Sequence, residues 1–297
     1  MVFAMIVDMF LGNPRSGQVQ PYVISEEMLQ TVQQSFTQSR LVWENLERND
    51  DSTRVFETAL DRALVHYDEG TCYLAFRGAT AHPLDSLQSA PSLFPRQVCG
   101  AAGCCQVSSG IAGAYYSDGF ASELETAVGE CHDRCEDGGC DLVITGFSQG
   151  GALAATAAIA LAEYNPKLVT FAQHPTVWFR CDMLDTMETY LRFTGTCQSV
   201  FGEPAYDSIA FYGNPFVTRH SGTMIMLGPG GAATVAHNTG KTFLPLNMVC
   251  HDMDSPYGAG LDLIEPGPID GYQDGSMCTT DVECKSRQCL DRRCAAA

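Results

Sequence analysis

The chain has 297 residues, 45% of them hydrophobic and 18% charged, and its formal net charge is −18. A chain of this length can bury a large core, and α/β folds of this size often form one domain. The strong negative charge argues against nucleic acids and anionic membrane surfaces as partners. These properties favour a soluble globular protein in a salty or extracellular medium.

The chain contains fourteen cysteines, an even and high count. Dense cysteines with few nearby histidines predict disulfides formed in an oxidising compartment, and therefore a secreted protein. The alternative is a zinc site made of Cys131, His132, Cys135 and Cys140, although the C-x-x-C spacing usual for structural zinc is missing. Residues 1–11 are apolar but lack a basic start and a small-residue cleavage site, so we expect that a secretion signal has been removed.

The first predicted elements precede the cysteine-rich part of the chain. Ser25–Leu46 predicts a helix, with a serine N-cap, acidic residues in the first turn and apolar residues near helical spacing. Val55–His66 predicts a strand or a short helix. Thr71–Phe76 predicts a buried strand that ends in Arg77-Gly78, and Gly110–Cys135 predicts a further helix.

The stretch 81–107 contains three prolines and a cysteine cluster, and it predicts a long irregular loop. Loops of this length inside a compact domain are usually functional. One interpretation is a mobile lid over residues 81–98 that covers an acyl-binding groove. The alternative is an apolar loop packed permanently on the core. The apolar side chains concerned are Leu84, Leu87, Leu93 and Phe94.

The stretch Asp141–Asn165 organises the rest of the chain. A β-branched apolar run is followed by Gly146-Phe147-Ser148-Gln149-Gly150 and then by an alanine-rich segment of high helix propensity. Strand, G-x-S-x-G and helix in this order predict a nucleophile elbow, with Ser148 on a strained turn and only glycine fitting at the two flanking positions. A membrane span over Leu142–Ala162 is excluded, because a turn lies in its middle.

Further strands are predicted after the elbow. Lys167–Ala172 predicts the strand that completes a right-handed parallel crossover around the elbow helix. Gln198–Phe201 and Thr223–Leu227 predict short strands. Cys181 and Cys197 are candidates for a disulfide that staples the segment between them.

Two domains are predicted, with a boundary in a segment rich in proline, glycine and aspartate over residues 264–275. Residues 1–270 form the α/β catalytic domain. Residues 271–297 form a cysteine-rich tail, which is too short for a hydrophobic core and needs two disulfides to fold.

A serine nucleophile needs a histidine that accepts its proton and an acid that orients this histidine. After an elbow, the chain order is serine, acid, histidine. His174 follows its strand too early to have an acid before it and is expected to be a hydrogen-bonded polar residue near the site. The residues alone leave the remaining choice open. The candidate histidines are His220, His237 and His251, and the candidate acids are Asp182, Asp185, Glu203 and Asp207.

A family resemblance is carried by three segments: YLAFRG at Tyr73–Gly78, TGFSQGGALA at Thr145–Ala154 and LVTFAQHPTV at Leu168–Val177. Together they resemble the fungal-type triglyceride lipases of class 3. The resemblance spans roughly Thr71 to Tyr257. It implies an α/β-hydrolase fold, with a mainly parallel central sheet and flanking helices. The cysteine pair before VSSG is also similar to the feruloyl esterases of the same superfamily.

The resemblance also implies the site residues. Ser148 matches the family's nucleophile, Asp207 lies in the counterpart of the segment that carries the family's acid, and His251 begins the counterpart of its D-H-x-x-Y segment. In the oxyanion hole, Ala79 stands where the family has a serine or threonine hydroxyl. Either Thr80 takes that role, or the backbone N–H groups of Ala79 and Gln149 form the hole.

Two further departures lie at the elbow, where Phe147 and Gln149 replace the family's usual histidine and leucine. The resemblance implies a secreted triacylglycerol lipase or carboxylesterase that uses a Ser-Asp-His triad and an acyl-enzyme, with no metal or organic cofactor. The expected partner is an ester substrate, including one at a lipid–water interface. No nucleic acid and no transmembrane segment are expected, and the protein is expected to be a monomer.

Two alternative functions remain open. One is a feruloyl-type or short-chain ester hydrolase on the same fold. The other is an inactive hydrolase-like protein whose cysteine-rich tail binds a surface or partner, an alternative that rests on the missing hydroxyl at Ala79.

Overall fold

The elements below come from a computed structural model. It describes residues 20–21, 24–44, 51–80, 94–135, 139–178, 181–198, 204–207, 218–219, 221–227, 233–236, 250–251, 253–262, 264, 289–290 and 293–294. The α-helices are α1 (Glu26–Leu41), α2 (Ser109–Tyr115), α3 (Phe120–His132), α4 (Gln149–Ala160), α5 (Asp182–Asp185) and α6 (Ala259–Asp262), and Met253–Gly258 forms a π-helix directly before α6. The strands are β1 (Gln20–Pro21), β2 (Thr53–Glu57), β3 (Arg62–Asp68), β4 (Thr71–Phe76), β5 (Pro95–Gly100), β6 (Gly103–Ser108), β7 (Asp141–Phe147), β8 (Lys167–Phe171), β9 (Val177–Trp178), β10 (Tyr190–Gln198), β11 (Pro204–Tyr206), β12 (Thr218–Arg219), β13 (Thr223–Leu227), β14 (Ala233–Ala236), β15 (Cys289–Leu290) and β16 (Arg293–Cys294).

The main sheet has the order β1-β14-β13-β10-β8-β7-β4-β3-β2, and β11 pairs with β10. Its centre, from β13 through β10, β8 and β7 to β4, is parallel, and the outer strands are antiparallel. The parallel strands therefore direct their carboxyl ends to one edge. Loops at this edge are where open α/β sheets form their sites.

Helices cover both faces of this sheet. On one face, α1 buries Leu29, Val32 and Phe36 against Phe147 and Phe171 of the central strands. On the other face, α4 is buried along nearly its whole length. In β8 and β10, neighbouring residues such as Leu168 and Val169 enter opposite cores, as the two-residue period of a strand requires.

The predicted N-terminal helix is confirmed, and it ends at Leu41 rather than Leu46. The hydroxyl of Ser25 caps it by accepting a 3.2 Å hydrogen bond from the N–H of Met28. The strands over Thr71–Phe76 and Thr223–Leu227 have the predicted bounds. The strand predicted over Lys167–Ala172 ends one residue earlier, at Phe171.

Several sequence expectations need correction. The stretch predicted as strand or short helix forms two strands, β2 and β3. The helix predicted over Gly110–Cys135 is divided into α2 and α3 by a 3-10 turn at Ser117–Gly119, where Asp118 has φ 47°. The short strand expected at Gln198–Phe201 is instead the end of β10, and residues 199–201 lie outside the described residues.

The stretch 81–107 is not irregular throughout. Its second part forms the hairpin β5–β6, closed by the disulfide Cys99–Cys104. Gly100 of this hairpin packs so closely on α4 that a side chain there would collide with the carbonyl of Ile159. Phe94, one of the expected lid residues, is 72% exposed. Leu84, Leu87 and Leu93 lie outside the described residues, so the lid stays a prediction.

The disulfides differ from the staple expected between Cys181 and Cys197. Cys181 pairs with Cys105 and ties α5 to the hairpin, because the two strands of this hairpin bring Cys105 beneath it. The zinc interpretation of Cys131, Cys135 and Cys140 is wrong, because Cys131 pairs with Cys72 and Cys135 pairs with Cys140. Cys250 is also disulfide-bonded.

The tail contributes one described feature, the antiparallel pair of β15 and β16. The rest of residues 265–297 lies outside the described residues, and the domain boundary at residue 270 stays a prediction. Among the helices that the structure describes, none is long and apolar enough to cross a membrane.

Candidate active site

Ser148 lies on the sharp turn between β7 and α4. Its backbone has φ 59° and ψ −123°, a conformation that non-glycine residues rarely adopt and that often marks a functional turn. The turn is held by the N–H of Ser148, which donates to the carbonyl of Phe171 at 2.9 Å, and by the N–H of Gly151, which donates to the carbonyl of Ser148 at 3.1 Å. The side chain of Ser148 stays partly accessible.

The two elbow glycines are required by close backbone contacts. A β-carbon on Gly146 would collide with the carbonyl of Gly150, and one on Gly150 would collide with the carbonyl of Phe76. The elbow predicted from G-x-S-x-G is therefore confirmed in its strand, its turn and its helix.

The structure brings Ser148, His251 and Asp207 together in one chain of contacts. Nε2 of His251 lies 2.9 Å from Oγ of Ser148. Nδ1 of the same ring lies 2.9 Å from Oδ2 and 3.1 Å from Oδ1 of Asp207. The three residues are 103 and 44 positions apart along the chain, so this contact is a product of the tertiary fold.

Asp207 is 0% exposed, and its position is fixed from two sides. Its N–H donates to the carbonyl of Gly195 in β10 at 3.0 Å. Its Oδ2 accepts a 2.6 Å hydrogen bond from the hydroxyl of Tyr257. Burial, and then the charge of Asp207, raise the pKa of Tyr257 well above its usual range. The phenol therefore stays protonated and can serve as a permanent donor to the carboxylate.

Phe147 packs against the histidine ring and is itself contacted by Tyr257. The ring of Phe147 faces that of His251 at 4.8 Å between centroids, tilted by 33°. Tyr257 contacts Phe147 edge-on at 5.4 Å. Sequence reasoning noted Phe147 only as a departure from the family, and it gave Tyr257 no role. The signal for Tyr257 was its place at the end of the segment that begins with His251.

The segment expected to form the oxyanion hole adjoins Ser148. A β-carbon built on Gly78 would lie 2.8 Å from the carbonyl oxygen of Phe147 and 3.2 Å from Cβ of Ser148. Ala79 and Thr80 follow directly, both partly buried, and Gln149 is the first residue of α4. Buried Gln149 donates from Nε2 to Oδ1 of Asp61 at 3.4 Å, a link to the β2–β3 connection that the sequence did not predict.

The remaining sequence candidates are resolved only in part. His220, His237 and Glu203 lie outside the described residues. Asp182 and Asp185 lie on α5, and among the described acids it is Asp207 whose carboxylate contacts His251. The described residues contain no cluster of three histidine, cysteine, aspartate or glutamate side chains that would hold a metal ion.

His174 lies three residues after β8, 5% exposed, on the edge that carries Ser148. Its Nδ1 lies 3.4 Å from the carbonyl of Pro175, whereas Nε2 has no hydrogen-bond partner in the described part of the chain. The expectation of a fully hydrogen-bonded histidine is therefore wrong for Nε2. Burial lowers the pKa of His174 to about 4, the Pro175 carbonyl opposes this, and the charge of His251 adds to it.

His174 predicts a pH dependence of stability. Its pKa of about 4 lies below the ordinary value of 6.5, so between these values the unfolded chain binds a proton that the folded chain does not. Stability therefore falls as the pH decreases through this window, by about 2–3 kcal/mol at pH ~4.5. The free energy of unfolding is measured with urea at pH ~7.5 and ~4.5. Between these two pH values it should decrease less in His174→Gln than in wild type, and the difference should be this amount. The same decrease in His174→Gln as in wild type would contradict the assignment, and His132→Gln, a partly exposed histidine, is the control.

Residues 73–181 match the family model of the class 3 lipases. The resemblance seen in the sequence is confirmed over this segment. It is shorter than the stretch of Thr71 to Tyr257 expected from the sequence, and it includes Ser148 and the proposed oxyanion segment but neither Asp207 nor His251. From this match, the chain is a carboxylic ester hydrolase. A comparison with curated proteins finds no match.

Several solved lipase structures are similar to this chain. A nonglycosylated LIP2 lipase of Yarrowia lipolytica has a TM-score of 0.54 at 14% identity, over 76% of this chain and 92% of that one. A second structure of Lip2 lipase from the same yeast has a TM-score of 0.52 at 11% identity, over 84% and 95%. A triacylglycerol lipase of Penicillium expansum has a TM-score of 0.49 at 15% identity, over 80% and 100%. The two Yarrowia structures confirm the predicted α/β-hydrolase fold.

Proposed function

We propose that the chain is a secreted serine ester hydrolase that acts through Ser148, His251 and Asp207. The observation that carries the proposal is the position of His251, which lies at 2.9 Å from both the serine hydroxyl and the aspartate carboxylate. This is the arrangement in which a histidine accepts a proton from a serine while an acid fixes its tautomer. The strained turn that carries Ser148 supports the same role.

In the proposed reaction, Oγ of Ser148 attacks the carbonyl carbon of the ester and gives its proton to Nε2 of His251. The tetrahedral intermediate then collapses, and His251 returns this proton to the departing alcohol. Water then takes the place of the alcohol: it gives a proton to His251 as it attacks the acyl-enzyme, and His251 returns the proton to Oγ of Ser148 as the acid leaves. Asp207 accepts the Nδ1–H hydrogen bond throughout and stabilises the imidazolium.

The developing oxyanion would be bound by the N–H groups of Ala79 and Gln149, with the hydroxyl of Thr80 as a further donor. Support comes from the close packing of Gly78 on Phe147 and Ser148, and from the helix N-terminus at Gln149, whose dipole favours negative charge. One lost donor costs about 3 kcal/mol of transition-state stabilisation. If the Thr80 hydroxyl does not take this role, Ala79 predicts slower turnover than a site with a hydroxyl at position 79.

The compartment and the assembly are also proposals. Four disulfides in the described part of the chain support an oxidising, extracellular environment. A monomer would be sufficient, because Ser148, Asp207 and His251 form the proposed triad within one chain. The substrate would be an ester, either dissolved or at a lipid–water interface.

Hydrolysis of a p-nitrophenyl ester series, from acetate to palmitate, tests the proposal. Each ester is assayed below and above its solubility limit. We expect turnover, and the chain-length profile separates the two hydrolase alternatives: emulsified long chains indicate a lipase, and dissolved short chains indicate a small-ester hydrolase. A folded protein that turns over no ester would overturn the proposal and leave the inactive binding protein.

A further inference from the structure

Trp43 is an exposed aromatic side chain held in a fixed place. It follows α1, where its N–H donates to the carbonyl of Arg40 at 2.9 Å. The preceding residue, Val42, is buried against Leu64 and Ala75 of the sheet. The side chain of Trp43 is nevertheless 40% exposed, whereas Trp178, the second of the two tryptophans, is 7% exposed.

The indole of Trp43 lies beside the nucleophile. A β-carbon built on Gly78 would be 3.1 Å from Cζ2 of Trp43 and 3.2 Å from Cβ of Ser148, so these two atoms are at most 6.3 Å apart. A side chain at position 78 would collide with the carbonyl oxygen of Phe147, at 2.8 Å, and press on the indole and the serine. The absence of a side chain at Gly78 thus lets an exposed tryptophan approach both Ser148 and the proposed oxyanion segment.

The helix end that carries Trp43 is anchored to the elbow strand. Oγ of Ser39 lies 2.9 Å from Oγ1 of Thr145 in β7. The hydroxyl of Thr145 also lies 3.3 Å from the carbonyl of Ser35, to which it donates. Both contacts are buried and connect α1 to β7, the strand that leads to Ser148. Trp43 and Ser148 therefore keep their relative position through the rigid part of the fold.

We propose that Trp43 is a specificity-determining residue, whose indole packs against a planar aromatic group of the ester bound at Ser148. This inference rests on the proposed hydrolase function and narrows its substrate class to aromatic esters, with the ring joined to the ester directly or through a short spacer. An aromatic ring gains from offset or edge-on packing on an indole beyond its buried area, and a saturated ring of similar size lacks this gain. The short distance to Ser148 restricts the position of the ring to the neighbourhood of the scissile bond.

The test compares two esters of nearly equal shape, methyl phenylacetate and methyl cyclohexylacetate. We expect the wild type to prefer the phenyl ester in kcat/KM, and Trp43→Ala to lower this preference about fivefold, mainly through KM. Trp43→Phe should retain most of it. Tyr67→Ala is the matched control, because Tyr67 is a partly exposed aromatic near the amino end of β4, away from Ser148. An unchanged preference in Trp43→Ala would overturn the proposal.

A binding measurement keeps this test independent of turnover. In Ser148→Ala with Trp178→Phe, Trp43 is the only tryptophan, and methyl phenylacetate does not absorb at its excitation wavelength. The phenyl ester should protect Trp43 emission from quenching by acrylamide, and the cyclohexyl ester should protect it less.

Protection without turnover in wild type would contradict the proposed function but support the aromatic site. Turnover without any protection would contradict the role of Trp43 alone. If Trp43→Ala weakens only adsorption to emulsions, the indole is a lipid contact and the proposal fails.

Discussion

Replacing Ser148 by alanine is expected to lower kcat for ester hydrolysis by about 10⁵-fold. The serine hydroxyl is the group that would attack the ester, and its contact with Nε2 of His251 at 2.9 Å is what would make it nucleophilic. Without Oγ, His251 can only activate water in a place shaped for a serine. The measurement is the p-nitrophenyl ester series on wild type and variant in parallel.

The loss of activity in Ser148→Ala should come from the missing hydroxyl and not from unfolding. Alanine keeps the β-carbon of Ser148, which packs near Gly78, and the backbone contacts of the turn involve only N–H and C=O groups. We therefore expect the melting temperature to change by no more than a few degrees, in line with the small effect of a partly exposed substitution. Ser122→Ala, on the exposed side of α3, is the control for serine replacement in general.

Covalent labelling locates the nucleophile independently. An organophosphonate ester should add one phosphonyl group to the peptide that contains Ser148 in the wild type, and none to Ser148→Ala. If the variant keeps more than about 1% of wild-type kcat, or if the label appears on another residue, the nucleophile lies elsewhere.

The elbow was predictable from sequence because its signals are local. A β-branched run, two glycines four residues apart and an alanine-rich segment specify strand, turn and helix within one short stretch. The same holds for the strand that ends at Phe76, since its apolar pattern needs no distant partner. A side chain at Gly146 or Gly150 would collide with the backbone, which explains why these two glycines were sufficient to predict the turn.

The partners of Ser148 could not be chosen by local reasoning. His251 is 103 residues away, and Asp207 lies beside it only because β11 pairs back along β10. The residues alone left several histidines and acids open, and the choice of His251 and Asp207 came from the family resemblance. Tyr257 and Asp61 were missed for the same reason, since each acts through a contact that only the fold creates.

The hairpin β5–β6 was missed because its composition is misleading. Proline and glycine are typical of turns, and each strand of the hairpin has a single β-branched residue, Val98 or Val107, buried in the core. Pairing, a disulfide and contact with α4 hold the rest of the hairpin. The pairing of Cys105 with Cys181 depends on the same packing. Spacing along the chain suggested Cys197 for Cys181, and only the arrangement of α5 over the hairpin identifies the actual partner.

Replacing Asp207 by asparagine is expected to lower kcat by about 10⁴-fold while the fold is retained. The carboxylate lies 2.9 Å from Nδ1 of His251 and can only accept there, so it fixes the tautomer whose Nε2 is free to take the proton of Ser148. An asparagine amide presents N–H groups as well as an oxygen. The ring can then hold its proton on Nε2, where it cannot act as a base towards Ser148.

Two further variants separate orientation by the acid from simple packing. Tyr257→Phe keeps the carboxylate but removes the 2.6 Å hydrogen bond to its Oδ2, and a loss of about tenfold in kcat is expected for one hydrogen bond to a charged group. Asp182→Asn changes an exposed acid that the sequence left as an alternative, and it should leave kcat unchanged.

All three variants are compared with wild type by their kinetics with p-nitrophenyl butyrate and by their melting temperatures. If Asp207→Asn stays within about tenfold of wild type, or if Asp182→Asn loses as much, the acid of the site has been misassigned. Asp207→Asn alters the group that faces the imidazole, whereas Tyr257→Phe does not. An equal loss of kcat in both variants would therefore mean that Asp207 acts by holding the local fold and not by orienting His251.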